Sequence, residues 1–162
     1  MPGNNIDTLI IGGGIIGLLT ARELALAGQS VTVLERNPRA GLESSWAGGG
    51  ILSPLYPWRY PDAVTDLSAI GHLEYPGLAA ELLEATGIDP EYIRSGHLIL
   101  DTEEQDEAKS WAKEFSKKIR LDSKIKYLSR IGRREISVLE PELSENFQAA
   151  LWLPYVGQVR NP

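Results

Sequence analysis

The stretch LIIGGGIIGLLTARELALAGQSVTVLERN, residues 9–37, decides the fold of this chain. It begins within a short apolar run, residues 7–11, that predicts a buried β-strand. Apolar residues at helical spacing follow over residues 15–27, and Gly28 is a typical helix terminator. Residues 30–34 are rich in β-branched side chains and predict a second strand. A strand, a helix and a strand in this order predict a βαβ unit with two parallel strands.

Three glycines of this stretch, Gly12, Gly14 and Gly17, form the pattern G-x-G-x-x-G. We expect Gly12 to permit a tight turn, Gly14 to let the backbone approach a pyrophosphate, and Gly17 to let the helix pack closely on the strand. The free N–H groups at the start of the helix favour an anion there. Glu35 ends the second strand, where its carboxylate can accept hydrogen bonds from an adenosine ribose. The pattern therefore predicts a bound dinucleotide.

The residues after the second strand bear on which dinucleotide binds. Glu35 argues against NADP, because a carboxylate repels a ribose 2′-phosphate. Arg36 could contact such a phosphate, but a solvated surface charge is the simpler interpretation. A glycine turn without any ligand is the alternative, and the position of the motif between a strand and a helix disfavours it.

Composition limits the classes of function. The chain has 162 residues, of which 43% are hydrophobic and 23% are charged, as expected for a folded domain with a core. The net charge of −6 argues against a nucleic-acid partner. The chain has no cysteine and two histidines, so we predict no disulfide, no thiolate chemistry and no metal site. The start MPGNNID lacks a signal-peptide pattern, and the apolar run is too short to span a bilayer, so we expect a cytoplasmic protein without a transmembrane segment.

A second glycine-rich segment, GLESSWAGGGILSP, covers residues 41–54. It lies within a stretch predicted to be irregular, residues 37–60. Ser44 and Ser45 offer hydroxyls to a phosphate or a ribityl chain, and residues 47–50 offer backbone with almost no side chain, which suits contact with an extended ligand. A flexible surface loop is the alternative on composition alone.

The rest of the chain predicts alternating helices and strands. Residues 62–86 are mostly helical, with Asp62 as a candidate cap and with Pro76–Gly77 dividing the stretch into two helices. Strands are predicted at residues 95–101, 125–128 and 149–153, and helices at residues 102–119, opened by the capping-box pattern TEEQ, and at residues 130–139. The final pair Asn161-Pro162 predicts the start of another helix.

The two glycine-rich segments together resemble the FAD-dependent D-amino acid oxidase family, and within it the bacterial glycine oxidases of thiamine biosynthesis. The pattern Ser-Ser-x-Ala-Gly-Gly-Gly-Ile and its continuation SPLYPWRY carry the resemblance, and TGIDPEYIRSGHLILD and VGQVRNP extend it over almost the whole chain. The resemblance implies an α/β fold: a Rossmann-like FAD-binding βαβ unit over residues 1–88 and the beginning of an α+β substrate domain over residues 89–162.

The resemblance also implies roles for individual residues. The FAD pyrophosphate would lie on the glycine turn and the start of its helix, formed by Gly12, Gly14, Ile15, Ile16 and Gly17. The adenosine ribose would lie on Glu35, with Arg36 beside it. The stretch from the phosphates to the flavin would be lined by Ser44, Ser45, Ala47, Gly48, Gly49 and Gly50. Ile51 would lie near the isoalloxazine ring, and Ile51 and Leu52 near the substrate.

The activity implied is oxidative deamination of glycine or a small D-amino acid to an oxo acid, ammonia and hydrogen peroxide. Oxygen or another electron acceptor would reoxidise the flavin, and no catalytic side chain is assigned, because the cofactor carries the hard chemistry. Family members are far longer than this chain, and an arginine from their C-terminal half holds the substrate carboxylate. We therefore expect an N-terminal portion that needs a C-terminal half for turnover. The sequence leaves homo-oligomerisation open.

Two other functions fit parts of the sequence. An NAD-dependent dehydrogenase would share residues 12–35 but would not need residues 44–50. A non-catalytic nucleotide-binding subunit or fragment would work only with another chain, and activity of the isolated chain would separate it from an enzyme.

Some residues have two interpretations. The aromatic loop, residues 54–60, is either a lid beside the flavin or a loop packed on the core. Arg59 either grips a carboxylate or forms a surface salt bridge. His72 and His97 are expected to be structural, Trp111 and Phe115 to be core residues, and Trp46 is a bulky residue without a predicted role.

Overall fold

The computed structural model describes residues 6–100 and 102–160. They form two compact units, one up to Gly49 and one from Gly50 onward. The predicted boundary at residue 88 concerns the domains of the family and stays a prediction. Asp101, placed at the end of a predicted strand, and the predicted helix start at Asn161-Pro162 lie outside the described residues. Within the described ranges, no helix is long and apolar enough to cross a membrane.

The first unit contains the predicted βαβ arrangement. Strand β1 covers Thr8–Ile11, helix α1 covers Ile15–Leu26 and strand β2 covers Val31–Leu34. The two strands pair in parallel, with Thr8 opposite Val31 and Ile11 opposite Leu34. The sequence pattern of this unit is therefore confirmed. One short helical turn, α2 at Ser44–Ala47, lies in the stretch that the sequence predicted to be irregular.

The second unit is an antiparallel sheet with helices, as predicted. After a 3₁₀ turn at Pro57–Arg59, its elements are α3 at Asp62–Thr86, β3 at His97–Leu100, α4 at Gln105–Lys118, β4 at Ser129–Gly132, α5 at Arg133–Leu139 and β5 at Ala149–Leu153. The strand order is β3-β5-β4, so the last strand lies in the centre of the sheet. The chain must therefore reach β5 before this sheet is complete.

The core of the second unit lies between its sheet and helix α4. Ile99, Leu151 and Leu153 are buried on the sheet, and Ala108 and Phe115 are buried on α4. The ring of Phe115 stacks on Trp111 with centroids 4.8 Å apart, so the predicted core pair is confirmed. Both histidines lie where the sequence placed them, and burial lowers the pKa of each below its usual range, so both are neutral at pH 7.

The prediction that Pro76 divides the long helix is wrong. Helix α3 runs without interruption from Asp62 to Thr86, and Pro61, not Asp62, is its N-cap. Proline removes one N–H donor from a helix interior, and it need not end the helix when packing holds both sides. Thr65, Ala69 and Ala79 are buried along α3 on both sides of the proline, which supplies that packing.

The strand predicted at residues 125–128 is also wrong. A turn replaces it. Oδ1 of Asp122 accepts the N–H of Lys124 at 2.8 Å, and the carbonyl oxygen of Asp122 accepts the N–H of Ile125 at 2.8 Å. Tyr127 and Leu128 are buried beyond this turn, and the strand starts only at Ser129. As a result, helix α5 begins at Arg133 instead of residue 130.

Helix α4 begins three residues later than predicted. The hydroxyl of Thr102 accepts a hydrogen bond from the N–H of Glu104 at 3.2 Å, which forms a local turn before the helix. Glu104 is the N-cap, and no side chain caps the first turn. The capping box that TEEQ predicts is therefore absent, because Thr102 lies two residues before the N-cap and Gln105 is the first helical residue.

Two glycines with positive φ provide a test of the second unit. Gly96 has φ +75°, and a Cβ there would lie 1.9 Å from the ring of Trp152, whereas Gly87 has φ +70° and open space around it. We expect Gly96→Ala to lower the free energy of unfolding by about 3 kcal/mol, from steric overlap and left-handed backbone strain together. Gly87→Ala should lose only about 1 kcal/mol, from the strain alone. Urea unfolding of both variants measures the difference, and equal losses would contradict the contact with Trp152.

Candidate dinucleotide-binding site

A cavity of about 350 Å³ opens at the carboxyl ends of β1 and β2. Ligands of open α/β sheets bind at this end of the strands. Six of the predicted site residues line the cavity: Gly12, Gly14, Glu35, Arg36, Ser44 and Ser45. Ile11, Leu34, Asn37, Gly41, Leu42 and Glu43 complete the lining. The structure thus brings the glycine turn, the end of β2 and the start of the second glycine-rich segment to one place.

The glycine turn depends on two positions that exclude a side chain. Gly12 has φ +106°, a conformation that residues with a Cβ rarely adopt. At Gly17, a Cβ would lie 2.0 Å from the carbonyl oxygen of Gly12 and 3.3 Å from Cγ2 of Ile10. Helix α1 therefore lies directly on the end of β1, as the sequence predicted for Gly17. This contact brings the amino end of α1 to the cavity.

The amino end of α1 donates a hydrogen bond to the second glycine-rich segment. Its N-cap, Gly14, has no side chain, and the N–H of Ile15 donates instead to Oγ of Ser45 at 2.8 Å. A hydroxyl that accepts a hydrogen bond keeps its own hydrogen for another acceptor. Ser45 can therefore donate to an anion in the cavity. A Cβ at Gly14 would lie 3.2 Å from this hydroxyl, so the backbone and Ser45 approach closely.

Glu35 links the glycine turn to the residues after β2. Its Oε2 accepts the N–H of Gly13 at 2.7 Å, and its Oε1 accepts the N–H of Asn37 at 2.8 Å and the side-chain amide of Asn37 at 2.9 Å. These backbone hydrogen bonds, from Asn37 first and then from Gly13, hold the pKa of Glu35 below its usual range. A carboxylate has about four acceptor positions, so one remains on Oε2 for a ligand hydroxyl.

Arg36 is a surface residue with a carboxylate partner. Its side chain is 79% exposed and its Nε donates to Oε1 of Glu43 at 2.9 Å. The amide of Asn37 donates to the same oxygen at 3.0 Å, and these bonds, the one from Asn37 first, hold the pKa of Glu43 below its usual range. This agrees with the interpretation of Arg36 as a solvated charge. Sequence reasoning missed Asn37 and Glu43, although polar residues directly after a parallel strand are a usable signal.

The other predicted residues lie outside this cavity. Ile15 lines a neighbouring cavity of about 540 Å³ with Leu18, Leu42 and Trp46, whose side chain is largely exposed. Ile16 is exposed on α1, and Ala47 ends α2. A Cβ at Gly48 would meet the carbonyl oxygens of Ser45 and Ser44, and a Cβ at Gly49 would meet nothing within 4 Å.

Residues 50–52 belong to the second unit. Gly50 has φ +71°, and its carbonyl oxygen accepts the N–H of Val159 at 2.9 Å. A Cβ at Gly50 would lie 2.0 Å from the carbonyl oxygen of Val159, so this position requires glycine for packing alone. Ile51 pairs with Gln158 in an isolated bridge, and the N–H of Leu52 donates to Gly157 at 2.9 Å. These contacts fix the two residues that were predicted to lie near the substrate.

A glycine turn on a helix start, an acidic residue at the end of the second strand and a cavity between them define a dinucleotide-binding α/β protein. A family model described as FAD dependent oxidoreductase matches residues 7–162. The chain belongs to this family, whose cofactor is FAD.

Two curated relatives carry the name glycine oxidase. The chain is 46% identical to the protein of Pseudomonas aeruginosa over 154 residues and 40% identical to that of Pseudomonas putida over 156 residues. These matches cover 95% and 96% of this chain and 40% of each relative. The chain thus spans about two fifths of the length of these relatives.

A solved structure gives the same result for the fold. The glycine oxidase of Bacillus cereus matches with a TM-score of 0.75 and 28% identity, over 98% of this chain and 41% of that one. The predicted fold class, a Rossmann-like βαβ unit followed by α+β structure, is therefore confirmed.

Glu35 provides a direct test of the site. We expect Glu35→Ala to weaken FAD binding by about 1–3 kcal/mol, the scale of hydrogen bonds to a charged acceptor, because the free position on Oε2 and the anchor for Gly13 are both lost. Titrating FAD into the protein and following flavin fluorescence measures the change. Glu23→Ala is the matched control, since Glu23 is an exposed acid of α1 that pairs with its neighbour Arg22. Equal affinity in Glu35→Ala and Glu23→Ala would mean that Glu35 does not contact the cofactor.

Proposed function

We propose that this protein is the FAD-binding part of an enzyme that oxidises the CH–NH₂ group of glycine or a small D-amino acid. The products would be an oxo acid, ammonia and hydrogen peroxide. One observation carries the proposal: the glycine turn, Glu35 and Ser45 meet in one cavity of a chain that is 46% identical to a glycine oxidase. The name of this relative suggests the substrate class, and the cavity offers a place for the cofactor.

The residues of the first unit fit the phosphate and ribose parts of FAD. The turn from Gly12 to Gly17, with Ile15 and Ile16 at the start of α1, would hold the pyrophosphate on its backbone N–H groups. Ser45 would donate its free hydroxyl hydrogen to a phosphate oxygen, and Ser44 lines the same cavity. Glu35 would accept one ribose hydroxyl, and Arg36 would stay with Glu43 at the rim.

The flavin end would use the rest of the second glycine-rich segment. Ala47, Gly48 and Gly49 present backbone without bulky side chains, which lets a flat ligand approach. Gly50 and Ile51 would continue this contact, and Ile51 and Leu52 would present apolar side chains to the substrate. An apolar surface there would exclude water from the reacting carbon.

When bound, FAD supplies the redox chemistry by accepting a hydride from the α-carbon of the amino acid. The side chains of this chain would bind, orient and exclude water. His72 and His97 are held neutral by burial in the second unit and line no part of the described cavity. We therefore assign no acid or base to either of them.

Turnover would need polypeptide beyond these residues. An amino acid carboxylate is best held by a bidentate arginine. Arg36 pairs with Glu43 and Arg59 pairs with Glu104, so these two arginines are already bound to carboxylates. Among the described residues, Ile11 is also 86% exposed at the end of a two-stranded sheet, which leaves apolar surface for further structure.

Two rival functions differ in their support. An NAD-dependent dehydrogenase would leave the second glycine-rich segment without a purpose, and membership of an FAD-dependent family removes the reason to prefer it. A non-catalytic nucleotide-binding subunit remains a second candidate, because the chain matches only 40% of its relatives. Turnover in the assembled protein separates that candidate from the enzyme.

The assignment of the glycine turn is tested by Gly14→Val. A branched side chain at this position would meet Ser45 and block the approach of the pyrophosphate, so we expect FAD binding to be abolished and folding to change little. Gly77→Val in helix α3 is the matched control, because nothing lies within 4 Å of a Cβ there. Near-native flavin affinity in Gly14→Val, measured by titration, would contradict the site.

The reaction is tested by flavin reduction under anaerobic conditions. We expect glycine and D-alanine to bleach the flavin absorbance when a C-terminal polypeptide of the glycine oxidase type is present, and not with residues 1–162 alone. Bleaching at a catalytic rate by residues 1–162 alone would overturn the need for further polypeptide. Absence of bleaching by either amino acid in the assembled, flavin-loaded protein would overturn the substrate class.

A further inference from the structure

Hydrogen bonds from two residues of the aromatic loop, residues 54–60, converge on one carboxylate. Glu104, far away in sequence, accepts the indole N–H of Trp58 at 2.5 Å and the Nε–H of Arg59 at 2.8 Å to Oε2 and 3.1 Å to Oε1. The side chain of Arg59 is half exposed, and its ion pair with Glu104 connects the aromatic loop to the start of helix α4. This contact therefore decides where the aromatic loop lies.

The aromatic loop is closely packed at the point where Glu104 contacts it. The rings of Tyr56 and Trp58 meet edge to face with centroids 5.8 Å apart, and the guanidinium of Arg59 lies 4.2 Å from the centre of the Tyr56 ring. Pro57 is buried, and Tyr56 and Trp58 pack against the core of the second unit. Arg59 thus lies between an aromatic face and a carboxylate, both of which attract a cation. Of the two interpretations of this loop from the sequence, the structure thus agrees with a loop packed on the core.

Glu104 is itself fixed at the amino end of helix α4. Its carbonyl oxygen accepts the N–H of the fully buried Ala108 at 3.1 Å, and its own N–H donates to Thr102 at 3.2 Å. A helix start favours a negative charge nearby. The hydrogen bonds from Arg59 and then Trp58 hold the pKa of Glu104 below its usual range, so the acceptor is ionised at neutral pH.

The other end of the same segment is tied down separately. Backbone hydrogen bonds of 2.9 Å join Gly50 to Val159 and Leu52 to Gly157, and Gln158 also bonds to Ile93 on its other side. Only residues 53–55 separate this anchor from the ring of Tyr56. A displacement of Tyr56 and Trp58 would therefore reach the side chains of Ile51 and Leu52 through only three residues.

We propose that Glu104 is a positioning residue that acts through Trp58 and Arg59 to fix residues 51–60. It sets the position of the apolar surface that Ile51 and Leu52 present to the amino acid substrate, an inference that rests on the function proposed above. The hydrogen bonds proposed to hold FAD lie in the first unit, around Gly14, Ser45 and Glu35, and Ile51 adds only an apolar contact. Loss of the Glu104 contact therefore weakens substrate binding and leaves cofactor binding unchanged.

The contact is tested without any turnover by hydrogen–deuterium exchange. Glu104→Gln keeps the shape of the side chain and removes its charge, and Glu103→Gln removes the same charge from the adjacent, exposed position. We expect exchange at the amides of Arg59 and Tyr60 to rise about tenfold in Glu104→Gln and to stay at the parent rate in Glu103→Gln. Equal exchange in both variants overturns the contact. Trp58→Phe and Arg59→Gln remove the donors from the other side and give the same answer if Glu104→Gln folds poorly.

The functional role is tested by kinetics of the flavin-loaded, active enzyme with glycine. We expect KM to rise about tenfold in Glu104→Gln, with kcat and the FAD dissociation constant within twofold of the parent and Glu103→Gln unchanged. Arg59→Gln added to Glu104→Gln should change KM by less than twofold, because both substitutions break one contact. Faster exchange with an unchanged KM overturns the positioning role and leaves the proposed reaction standing. A parent protein that neither binds FAD nor oxidises glycine overturns the proposed function, and with it the positioning role, while the exchange result still decides the contact.

Discussion

The close approach of helix α1 to strand β1 is the constraint on which the first unit depends. Position 17 has room for a hydrogen atom only, because a Cβ would lie 2.0 Å from the carbonyl oxygen of Gly12. The helix start and the carboxyl end of β1 consequently meet in one turn. Two polar contacts of the candidate site follow from this meeting: the N–H of Ile15 reaches Ser45, and the N–H of Gly13 reaches Glu35. A side chain at position 17 would separate these groups before it touched any ligand.

The polar network around this turn also explains how the cavity is organised before a ligand enters. Glu35 holds the glycine turn and Asn37 together, and Asn37 passes the connection to Glu43 and Arg36. Ionised carboxylates with backbone N–H donors are strong acceptors, which keeps their geometry fixed. The acceptor position left on Glu35 and the hydrogen left on Ser45 are side-chain groups that a nucleotide can use, in addition to the backbone N–H groups at the start of α1. Most of the polar side chains around the glycine turn are thus already paired within the protein.

The sequence predicted the parts of the fold that local patterns determine. The βαβ unit, the glycine turn and the central strand β5 each follow from periodicity, from glycine positions or from β-branched residues within one segment. The divided helix at Pro76 and the strand at residues 125–128 were wrong because tertiary packing held α3 intact and because Asp122 formed a turn. The capping box at TEEQ was wrong because the helix starts only at Gln105, which leaves Thr102 two residues before the N-cap. Glu104 accepts hydrogen bonds from Arg59 and Trp58, which precede it by 45 and 46 positions, and no local pattern reveals such partners.

The same distinction applies to the two ends of the candidate site. Residues 12–45 can be recognised from spacing, because a phosphate and a ribose are bound by backbone N–H groups and one acid close together in sequence. Residues 50–60 cannot, because their positions depend on partners such as Gly157, Val159 and Glu104 in later parts of the chain. Gly50 illustrates the point: its motif suggests contact with a flat cofactor, but packing against Val159 already requires glycine. The glycine motif alone therefore cannot separate a ligand contact from a packing requirement at Gly50, whereas at Gly49 no packing contact requires a glycine.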